Sequence, residues 1–282
     1  MNFKFSKWHG LGNDFVIVNG FEQHGITDYA KAAIEVCDRN FGIGADGLVF
    51  VLPSKTADFQ MRIFNSDGSE AEMCGNVTRC VARYVYDNGL SDKTAITLET
   101  KAGIIKPQLI FQGEKLQEIS VDMGEPRLKQ GEIPMTQGAA SDAAVDLPLT
   151  VNGKTWQVTC VSMGNPHCVI FVPDVAALDL AALGPALETA NWFPRKTNVE
   201  FVQVLNTRQV RMRVWERGAG ITLACGTGAC ATTVAAVLNK KTEREVKVDL
   251  DGGSLKIRWA EDNHVHMAGP AVEVFRGEYQ LR

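Results

Sequence analysis

This chain has no long apolar run, and this absence excludes a protein that spans a membrane with helices. No stretch approaches the roughly 18 consecutive apolar residues that a transmembrane helix needs. The N-terminal segment, residues 1–7, also lacks the apolar core of a signal peptide. We therefore expect a cytoplasmic protein with no membrane partner.

A surplus of positive charge is absent as well. The chain has 29 Lys and Arg residues against 33 Asp and Glu residues, and its formal net charge is −4. Proteins that bind nucleic acid typically carry a basic surface that neutralises phosphates. We therefore expect no nucleic-acid partner.

Cysteine pairs of the kind that form disulfide frameworks or redox motifs are missing too. The seven cysteines are an odd number spread over 282 residues, and none occurs in a Cys-x-x-Cys motif. This usage indicates reduced thiols. Five of them are interpreted as small buried apolar side chains: Cys37, Cys80, Cys160, Cys168 and Cys230.

The other two cysteines, Cys74 and Cys225, occupy matching places in the two halves of the chain. A length of 282 residues exceeds the usual size of one hydrophobic core and favours two domains. A glycine follows each of these cysteines, and the match extends upstream to Asn65 and Asn13 in one half and to Glu216 and Asn165 in the other. A repeat with one reactive residue in each copy predicts a cleft with two opposed faces.

Strand-length apolar runs dominate the remaining pattern. They recur at residues 15–18, 48–52, 59–64, 96–99, 104–111 and 119–123, and again at 157–162, 168–172, 199–205, 209–215, 245–250, 254–259 and 264–267. The polar segment 129–144 is predicted to be a loop. Strands should therefore outnumber helices.

Three helices are predicted among these strands. The first extends from the capping residue Asp28 to about residue 40, followed by Gly42, and its buried face should carry Ala33, Ile34, Cys37 and Phe41. The second and third begin near Cys74 and Cys225 and end at residues 88–89 and 239. The last two lack a polar face, so each should lie buried at the centre of its domain. A curved sheet around a central helix fits better than a doubly wound sheet, which needs a helix between most strands.

The predicted positions of Cys74 and Cys225 give them a chemical role. At a helix N-terminus, unpaired N–H groups and the positive end of the helix dipole lower a thiol's pKa and can also bind a carboxylate. Inversion of a carbon centre needs one group to remove a proton and another to deliver one from the opposite side. A thiolate and a thiol can do both, while the helix N-termini stabilise the charge that develops on the substrate carboxylate.

Competing interpretations of these motifs are weaker. A typical zinc knuckle has two to four residues between its cysteines, and five separate Cys74 from Cys80. In both pairs, the second cysteine, Cys80 or Cys230, would also lie more than a helical turn away from the first, so no metal is expected. A redox dithiol would be expected to use a Cys-x-x-Cys motif. The segment 42–47 has dinucleotide-binding glycines, but it follows a helix and precedes a strand, the reverse of the required order, so we interpret it as a turn.

Polar side chains near the two cysteines are candidates for substrate contacts. Single asparagines are usually turn residues, but here they recur in both halves, and Asp46 and Asn198 lie 33 residues after Asn13 and Asn165. Arg217 is the best candidate for bidentate capture of a second carboxylate. His167 is either a structural histidine or a group that assists proton transfer beside Glu216.

Several of these motifs resemble one known family. The segments 10–15, 42–47, 65–76, 164–167, 215–218 and 225–230 are similar, in this order, to those of diaminopimelate epimerase. The resemblance spans nearly the whole chain. It implies a cofactor-independent isomerase that interconverts LL- and meso-diaminopimelate, in the route to lysine and peptidoglycan, and it implies a homodimer with residues 272–275 as a contact region.

The resemblance also implies a fold and a set of site residues. The fold class would be α/β (α+β), with two pseudo-symmetric domains, each a curled mixed sheet around a central helix, over residues 1–119 plus 269–282 and residues 120–268. Cys74 and Cys225 would be the acid and base, assisted by His167 and Glu216. The substrate would contact Asn13, Asn65, Gly75, Asn76, Asn165, Asn198, Glu216, Arg217, Gly226 and Thr227.

Two alternatives remain open at this point. A proline or hydroxyproline racemase of the same superfamily would also use paired cysteines. Asn-Pro-His at 165–167 and Trp-Glu-Arg-Gly at 215–218 favour the diaminopimelate branch, whose substrate has extra charged ends. A thiol redox protein is the more remote alternative.

Overall fold

The computed structural model describes residues 1–23 and 25–282. The chain forms two compact units. Unit 1 comprises Met1–Asp122 and Gly269–Arg282, and unit 2 comprises Met123–Ala268.

Unit 1 is a sheet with two helices and an additional hairpin. Along the chain its elements are β1 (Asn2–Gly10), β2 (Asn13–Asn19), α1 (Tyr29–Cys37), β3 (Gly47–Leu52), β4 (Phe59–Asn65), β5 (Glu70–Ala71), α2 (Gly75–Asp87), β6 (Leu98–Thr100), β7 (Gly103–Ile105), β8 (Gln108–Gln112), β9 (Lys115–Asp122) and the returning strand β19 (Val272–Gln280). The strand order is β19-β1-β2-β3-β4-β6-β7, with β5 beside β4. Strands β8 and β9 form the hairpin.

The elements of unit 2 also form a sheet with two helices. They are β10 (Leu147–Val151), β11 (Lys154–Ser162), β12 (Pro166–Phe171), α3 (Leu180–Glu188), β13 (Asn198–Asn206), β14 (Gln209–Glu216), β15 (Gly220–Thr222), α4 (Gly226–Leu238), β16 (Glu245–Leu250), β17 (Gly253–Trp259) and β18 (Val265–Gly269). The strand order is β10-β11-β12-β13-β14-β16-β17-β18, with β15 beside β14. A short 3₁₀ helix, Gln130–Glu132, lies in the segment predicted to be a loop.

The two units repeat one topology. In unit 1, β2 runs parallel to β3, β3 antiparallel to β4, and β4 parallel to β6 after the helix α2. In unit 2, β12 runs parallel to β13, β13 antiparallel to β14, and β14 parallel to β16 after the helix α4. The internal match in the sequence thus corresponds to two copies of one strand and helix arrangement.

Each unit is built around one buried helix. Helix α2 packs on β1, β2, β8, β9 and β19, and α4 packs on β11, β12, β13, β14, β16 and β17. Most residues of both helices are buried, including Val77, Val81 and Val85 in α2 and Ala231 and Val234 in α4. Burial of these apolar side chains against the sheet removes their surface from water. The prediction of two central helices, with their bounds, is confirmed.

The predicted face of the first helix is wrong in part. Asp28 caps α1 as expected, since its carboxylate accepts a hydrogen bond from the N–H of Lys31. However, α1 ends at Cys37, three residues earlier than predicted, so Phe41 lies outside the helix and is 77% exposed. The buried face is Ala32, Ala33, Val36 and Cys37, whereas Ile34 is 53% exposed.

The sequence pattern did not predict strands β1, β5, β10 and β15 or helix α3. Strand β1 does alternate polar and apolar residues, the pattern of a half-buried strand, whereas β10 contains Pro148, which weakens a strand prediction. Helix α3 contains Pro185, a residue that normally breaks a helix.

Among the described residues, no helix has both the length and the apolar content to cross a membrane.

Candidate active site

Strand ends place the polar residues of unit 1 together. Because β2 and β3 are parallel and β4 is antiparallel to β3, the first residues of β2 and β3 share a sheet edge with the last residue of β4. That edge carries Asn13, Asp46 and Asn65. Helix α2 begins nearby in the chain, directly after Cys74.

Unit 2 builds the same kind of edge. Strands β12 and β13 are parallel and β14 is antiparallel to β13, so Asn165, Asn198 and Glu216 lie at one edge. Helix α4 begins directly after Cys225. The spacing that repeats in the sequence is therefore the spacing of three strand ends and one helix start.

Cys74 is the N-cap residue of α2 and has an extended backbone. Its Sγ lies 4.0 Å from Oδ1 of Asn13, which also accepts a hydrogen bond from Nδ2 of Asn76 at 3.0 Å. Asn13 is held in turn by Asp46, whose Oδ2 accepts from Asn13 Nδ2 at 2.7 Å. Cys74, Asn13 and Asn76 form one group whose amide orientations are fixed by these bonds.

Asn65 and Gly75 complete the set of predicted residues in unit 1. The exposed Asn65 donates from Nδ2 to Oγ of Ser69 at 2.9 Å, so its amide is held by the turn after β4. Gly75 is the first residue of α2, where the backbone N–H groups of a helix lack intrahelical partners.

A buried arginine, Arg79, was missed by the sequence analysis. It lies one turn into α2, is fully buried, and donates from Nη2 to Oδ1 of Asn76 at 2.9 Å and from Nε to the carbonyl of Pro270 at 3.2 Å. A Cβ at Gly10 would lie 2.9 Å from Arg79 Nη2, so glycine leaves the room that the guanidinium needs. The signal in the sequence was an arginine within the first two turns of a helix whose residues are mostly buried.

Cys225 is the N-cap residue of α4 and is only 5% exposed. Its Sγ accepts a hydrogen bond from the N–H of Gly228 at 3.4 Å and lies 3.6 Å from Oγ1 of Thr227. The thiol therefore caps its own helix. Gly226 is the first residue of that helix.

His167 is fully buried in the same unit and has a partner on each ring nitrogen. Its Nδ1 lies 2.6 Å from Oε1 of Glu200, and its Nε2 lies 3.1 Å from Oδ1 of Asn165. Asn165 donates from Nδ2 to Oγ1 of Thr227 at 3.3 Å. The predicted residues Asn165, His167, Thr227 and Cys225 thus form one network.

Glu200, which the sequence analysis also missed, belongs to this network. It is fully buried on β13, two residues after Asn198 and therefore on the same face of the strand. The signal in the sequence is a single carboxylate near the start of the apolar run 199–205.

Asn198 and Glu216 shape the turn that carries Arg217. The backbone N–H of Arg217 donates to Oδ1 of Asn198 at 2.9 Å, and Asn198 donates from Nδ2 to the carbonyl of Pro166 at 2.9 Å. Glu216 accepts from Oγ1 of Thr222 at 2.5 Å. The side chain of Asn198 thus connects two segments of the site by hydrogen bonds.

The predicted lowering of the Cys225 pKa is wrong. The hydrogen bonds from Thr227 and the Gly228 N–H act in the expected direction, but burial, followed by the nearby carboxylates of Glu216 and Glu200, raises the pKa of Cys225 well above its usual value. Burial also raises the pKa of Glu216, and Glu200 adds to that effect. Desolvation and negative charge outweigh the helix terminus here.

A cavity of about 500 Å³ lies beside Arg217 in unit 2. Arg127 and Arg195 also line it, with Glu132 as the acidic residue of the lining. Arg217 donates from Nη1 to the backbone carbonyl of Arg195 at 3.1 Å. Three guanidinium groups against one carboxylate favour the binding of an anionic group.

Three side chains have possible metal-ligand atoms within 4.8 Å of one another: His167, Glu200 and Cys225. We therefore compared their geometry with that of a metal site. Two ligands of a tetrahedral zinc ion stand about 3.3 Å apart. The 2.6 Å between His167 Nδ1 and Glu200 Oε1 is instead the length of a direct charge-assisted hydrogen bond. The geometry therefore suits a proton network better than metal ligation.

Sequence comparison relates the chain to one enzyme family. The family model described as diaminopimelate epimerase matches residues 5–129 and 159–274. The diaminopimelate epimerases of Moorella thermoacetica and Pelotomaculum thermopropionicum are 56% and 54% identical to the chain over 278 and 279 residues, which cover 98% and 99% of the chain and 99% of each relative.

Solved structures share the fold at much lower identity. A phenazine biosynthesis protein of the PhzF family from Bacillus anthracis has a TM-score of 0.73 and 18% identity, with 100% of both chains covered. A probable proline racemase from Agrobacterium radiobacter has a TM-score of 0.68 and 14% identity, over 99% of this chain and 93% of that one. The predicted α/β (α+β) fold class is confirmed.

Proposed function

The chain belongs to the diaminopimelate epimerase family, and from this premise we propose that it interconverts LL- and meso-2,6-diaminopimelate by proton transfer at one α-carbon, without a cofactor. The observation that carries the proposal is family membership over nearly the whole chain, together with a thiol at the N-cap of the central helix in each unit. The product serves lysine and peptidoglycan synthesis.

Cys74 and Cys225 are the proposed acid and base. In one direction a thiolate takes the α-proton, the C–H bond breaks, and its electron pair is delocalised into the α-carboxylate. The other thiol then delivers its proton to the opposite face of the carbon, and the two sulfurs have exchanged protonation states. Each turnover in the reverse direction restores them.

Backbone N–H groups stabilise the charge that forms on the carboxylate. The first turns of α2 and α4 present unpaired N–H groups at Gly75, Asn76, Gly226 and Thr227. Fixed donors of this kind lower the barrier because they need no reorganisation when charge develops. The amides of Asn13, Asn65 and Asn165 supply polar contacts around the same reactive group, and Asn198 holds the turn that follows β14.

Arg217 is proposed to bind the second carboxylate of the substrate. Its guanidinium lines the arginine-rich cavity, and its backbone is tied by Asn198. A planar guanidinium can hold a carboxylate by two parallel hydrogen bonds. His167 and Glu216 are proposed to assist proton transfer at Cys225, since His167 connects to it through Asn165 and Thr227 and Glu216 lies beside it.

Deuterium incorporation tests the proposed reaction and its substrate. The protein is incubated in D₂O separately with LL-diaminopimelate, L-lysine and L-proline, and α-deuterium is measured by mass spectrometry. We expect exchange with diaminopimelate alone, because L-lysine lacks the second carboxylate that Arg217 would bind. Exchange with proline alone would replace the proposal with a proline racemase, and no exchange with any of the three would contradict an epimerase.

We also propose that the protein is a cytoplasmic homodimer that contacts its copy through β19. The cysteines are thiols, as expected for a reducing compartment. Val272, Val274 and Phe275 on β19 are 43–55% exposed, which is an apolar surface on a strand at the edge of the unit 1 sheet. Sedimentation should show a dimer that Val274→Lys converts to a monomer, and a monomeric parent protein would contradict this part.

A further inference from the structure

Glu200 is a buried carboxylate with an unusual set of contacts. Its side chain is 0% exposed, and Oε1 bonds Nδ1 of His167 at 2.6 Å. Within residues 1–23 and 25–282, Oε2 has no hydrogen-bond partner. Such a group is costly to bury, because an unsatisfied oxygen and an ionisable carboxyl both lose hydration. Packing alone therefore does not account for it.

The carboxylate lies against the first turn of α4. A Cβ placed on Gly228 would lie 2.8 Å from Oε1 of Glu200 and 3.2 Å from Sγ of Cys225, so both groups contact the same glycine. The ligand atoms of Glu200, His167 and Cys225 all lie within 4.8 Å of one another. At this distance, away from water, one charge strongly affects the protonation of the other groups.

A chain of hydrogen bonds joins Glu200 to the same thiol by a second route. Glu200 holds His167, whose Nε2 lies 3.1 Å from Oδ1 of Asn165. Asn165 then donates to Thr227, whose Oγ1 lies 3.6 Å from Cys225 Sγ. Loss of the Glu200 carboxylate would leave the imidazole of His167 without its Nδ1 partner.

The charged groups around Cys225 come from each strand that α4 packs against at this end. His167 faces it from β12, Glu200 from β13 and Glu216 from β14. Near the Cys225 thiol there are therefore two carboxylates, which favour the neutral thiol, and one imidazole and the helix N–H groups, which favour the thiolate. The negative charges favour the neutral thiol over the thiolate.

We propose that Glu200 is a positioning residue of the epimerase site: it fixes the His167–Asn165–Thr227 chain and keeps Cys225 in the thiol form before substrate binds. The inference rests on the proposed function, because it assigns Cys225 the role of proton donor at rest. Cys74 is then the thiol of the pair that must lose its proton first.

Alkylation of the substrate-free protein tests the inference without any activity assay. The full chain is treated with iodoacetamide from pH 6 to 11, and the rate at Cys225 is followed by peptide mass. The quantity compared is the pH at which the alkylation rate of Cys225 is half-maximal. Limited access to the buried thiol lowers the rate at every pH and therefore does not move this midpoint. The variants are Glu200→Gln, Glu200→Asp, which keeps the charge, and the control Asp249→Asn, a carboxylate on β16 bonded to Ser254.

We expect a midpoint above about pH 9 for Cys225 in the parent protein, since its pKa is raised above 9.0. Glu200→Gln should lower that midpoint by about one pH unit or more, while Glu200→Asp and Asp249→Asn stay near the parent value. A parent midpoint below pH 9 overturns the inference even if Glu200→Gln fails to fold. An unchanged or raised midpoint in folded Glu200→Gln also overturns it, and so does an equal shift in Glu200→Asp.

The deuterium assay distinguishes a failure of this inference from a failure of the proposed function. If the parent protein exchanges the α-proton of diaminopimelate but the Glu200→Gln midpoint does not move, only the role of Glu200 fails. If the midpoint moves but no substrate exchanges, the charge effect is real and the epimerase proposal fails.

Discussion

Individual side chains in this protein derive their chemistry from their surroundings. Cys80 and Cys225 are both buried thiols on central helices, yet Cys80 is surrounded by the apolar core of unit 1, whereas Cys225 caps its helix beside two carboxylates. Burial alone makes a thiol inert. The combination of a cap position with nearby titratable groups makes Cys225 suitable for proton transfer.

Replacement of either proposed acid or base should abolish turnover but preserve the fold. Cys74→Ala and Cys225→Ala each remove one proton carrier, and the loss should be at least about 10³-fold in the rate at which LL-diaminopimelate is converted to the meso form. Cys230→Ala, a buried thiol on the same helix as Cys225, serves as control and should retain activity. Turnover like that of the parent protein in either Cys74→Ala or Cys225→Ala would contradict the two-base mechanism.

At the scale of elements, α3 supports the turn that presents Arg217. Glu188, the last residue of α3, is buried and accepts from Nε1 of Trp215 at 2.7 Å and from the N–H of Gly218 at 3.1 Å. Burial favours the neutral acid, but the hydrogen bonds from Trp215, Lys196 and Gly218 outweigh it and lower the pKa of Glu188. A charged Glu188 therefore clamps both ends of the turn.

Glu188→Ala should destabilise unit 2 and loosen substrate binding. The half-buried Trp215 and the exposed Gly218 lose their acceptor, which should lower the free energy of unfolding by roughly 1–2 kcal/mol. We expect KM for diaminopimelate to rise more than kcat falls, since the turn carries Arg217, which is proposed to bind the far end of the substrate and not the reacting carbon. Urea denaturation and steady-state kinetics measure both effects.

The control for Glu188 is Glu243→Ala, which removes an exposed carboxylate paired with Arg208. Exposed ion pairs contribute little, so its stability and KM should stay close to those of the parent protein. A fall in kcat with unchanged KM in Glu188→Ala would show that α3 acts on the reacting carbon and would contradict the assigned role.

At the scale of the whole molecule, buried thiols link stability to pH. Burial raises the pKa of Cys80 to about 12 from 9.0. The folded state therefore keeps its proton at a pH where the unfolded chain releases it. The contribution to stability is complete below about pH 9 and is lost as pH rises from 9 to 12.

The free energy of unfolding should consequently fall above about pH 9, by up to about 1.4 kcal/mol per pH unit for each such thiol. Cys80→Ala should reduce this slope, which urea denaturation at pH 7.5, 9.5 and 10.5 in reductant would measure. Val85→Ala, buried on the same helix, should lower stability equally at every pH. Identical slopes in the parent protein and Cys80→Ala would contradict the linkage.

The sequence by itself determined the repeat, the central helices and most strands. These features follow from local patterns: apolar runs of strand length, two apolar helices that start after a cysteine, and matching spacings of Asn13, Asn165 and the two thiols. The repeat also indicated which polar residues belong together. The predictions failed at Pro185 in α3 and at Phe41 beyond α1, and they also missed β1 and β10.

Only the tertiary structure decided the electrostatics around the thiols. The roles of Glu200 and Arg79 depend on the folded structure. Packing places Glu200 beside His167, and it buries Arg79 beside Asn76. The sequence predicted that a helix N-terminus lowers the pKa of Cys225, but burial and two carboxylates raise it. Local spacing fixes which atoms lie near one another along the chain, whereas desolvation and charge depend on what the folded chain packs around them.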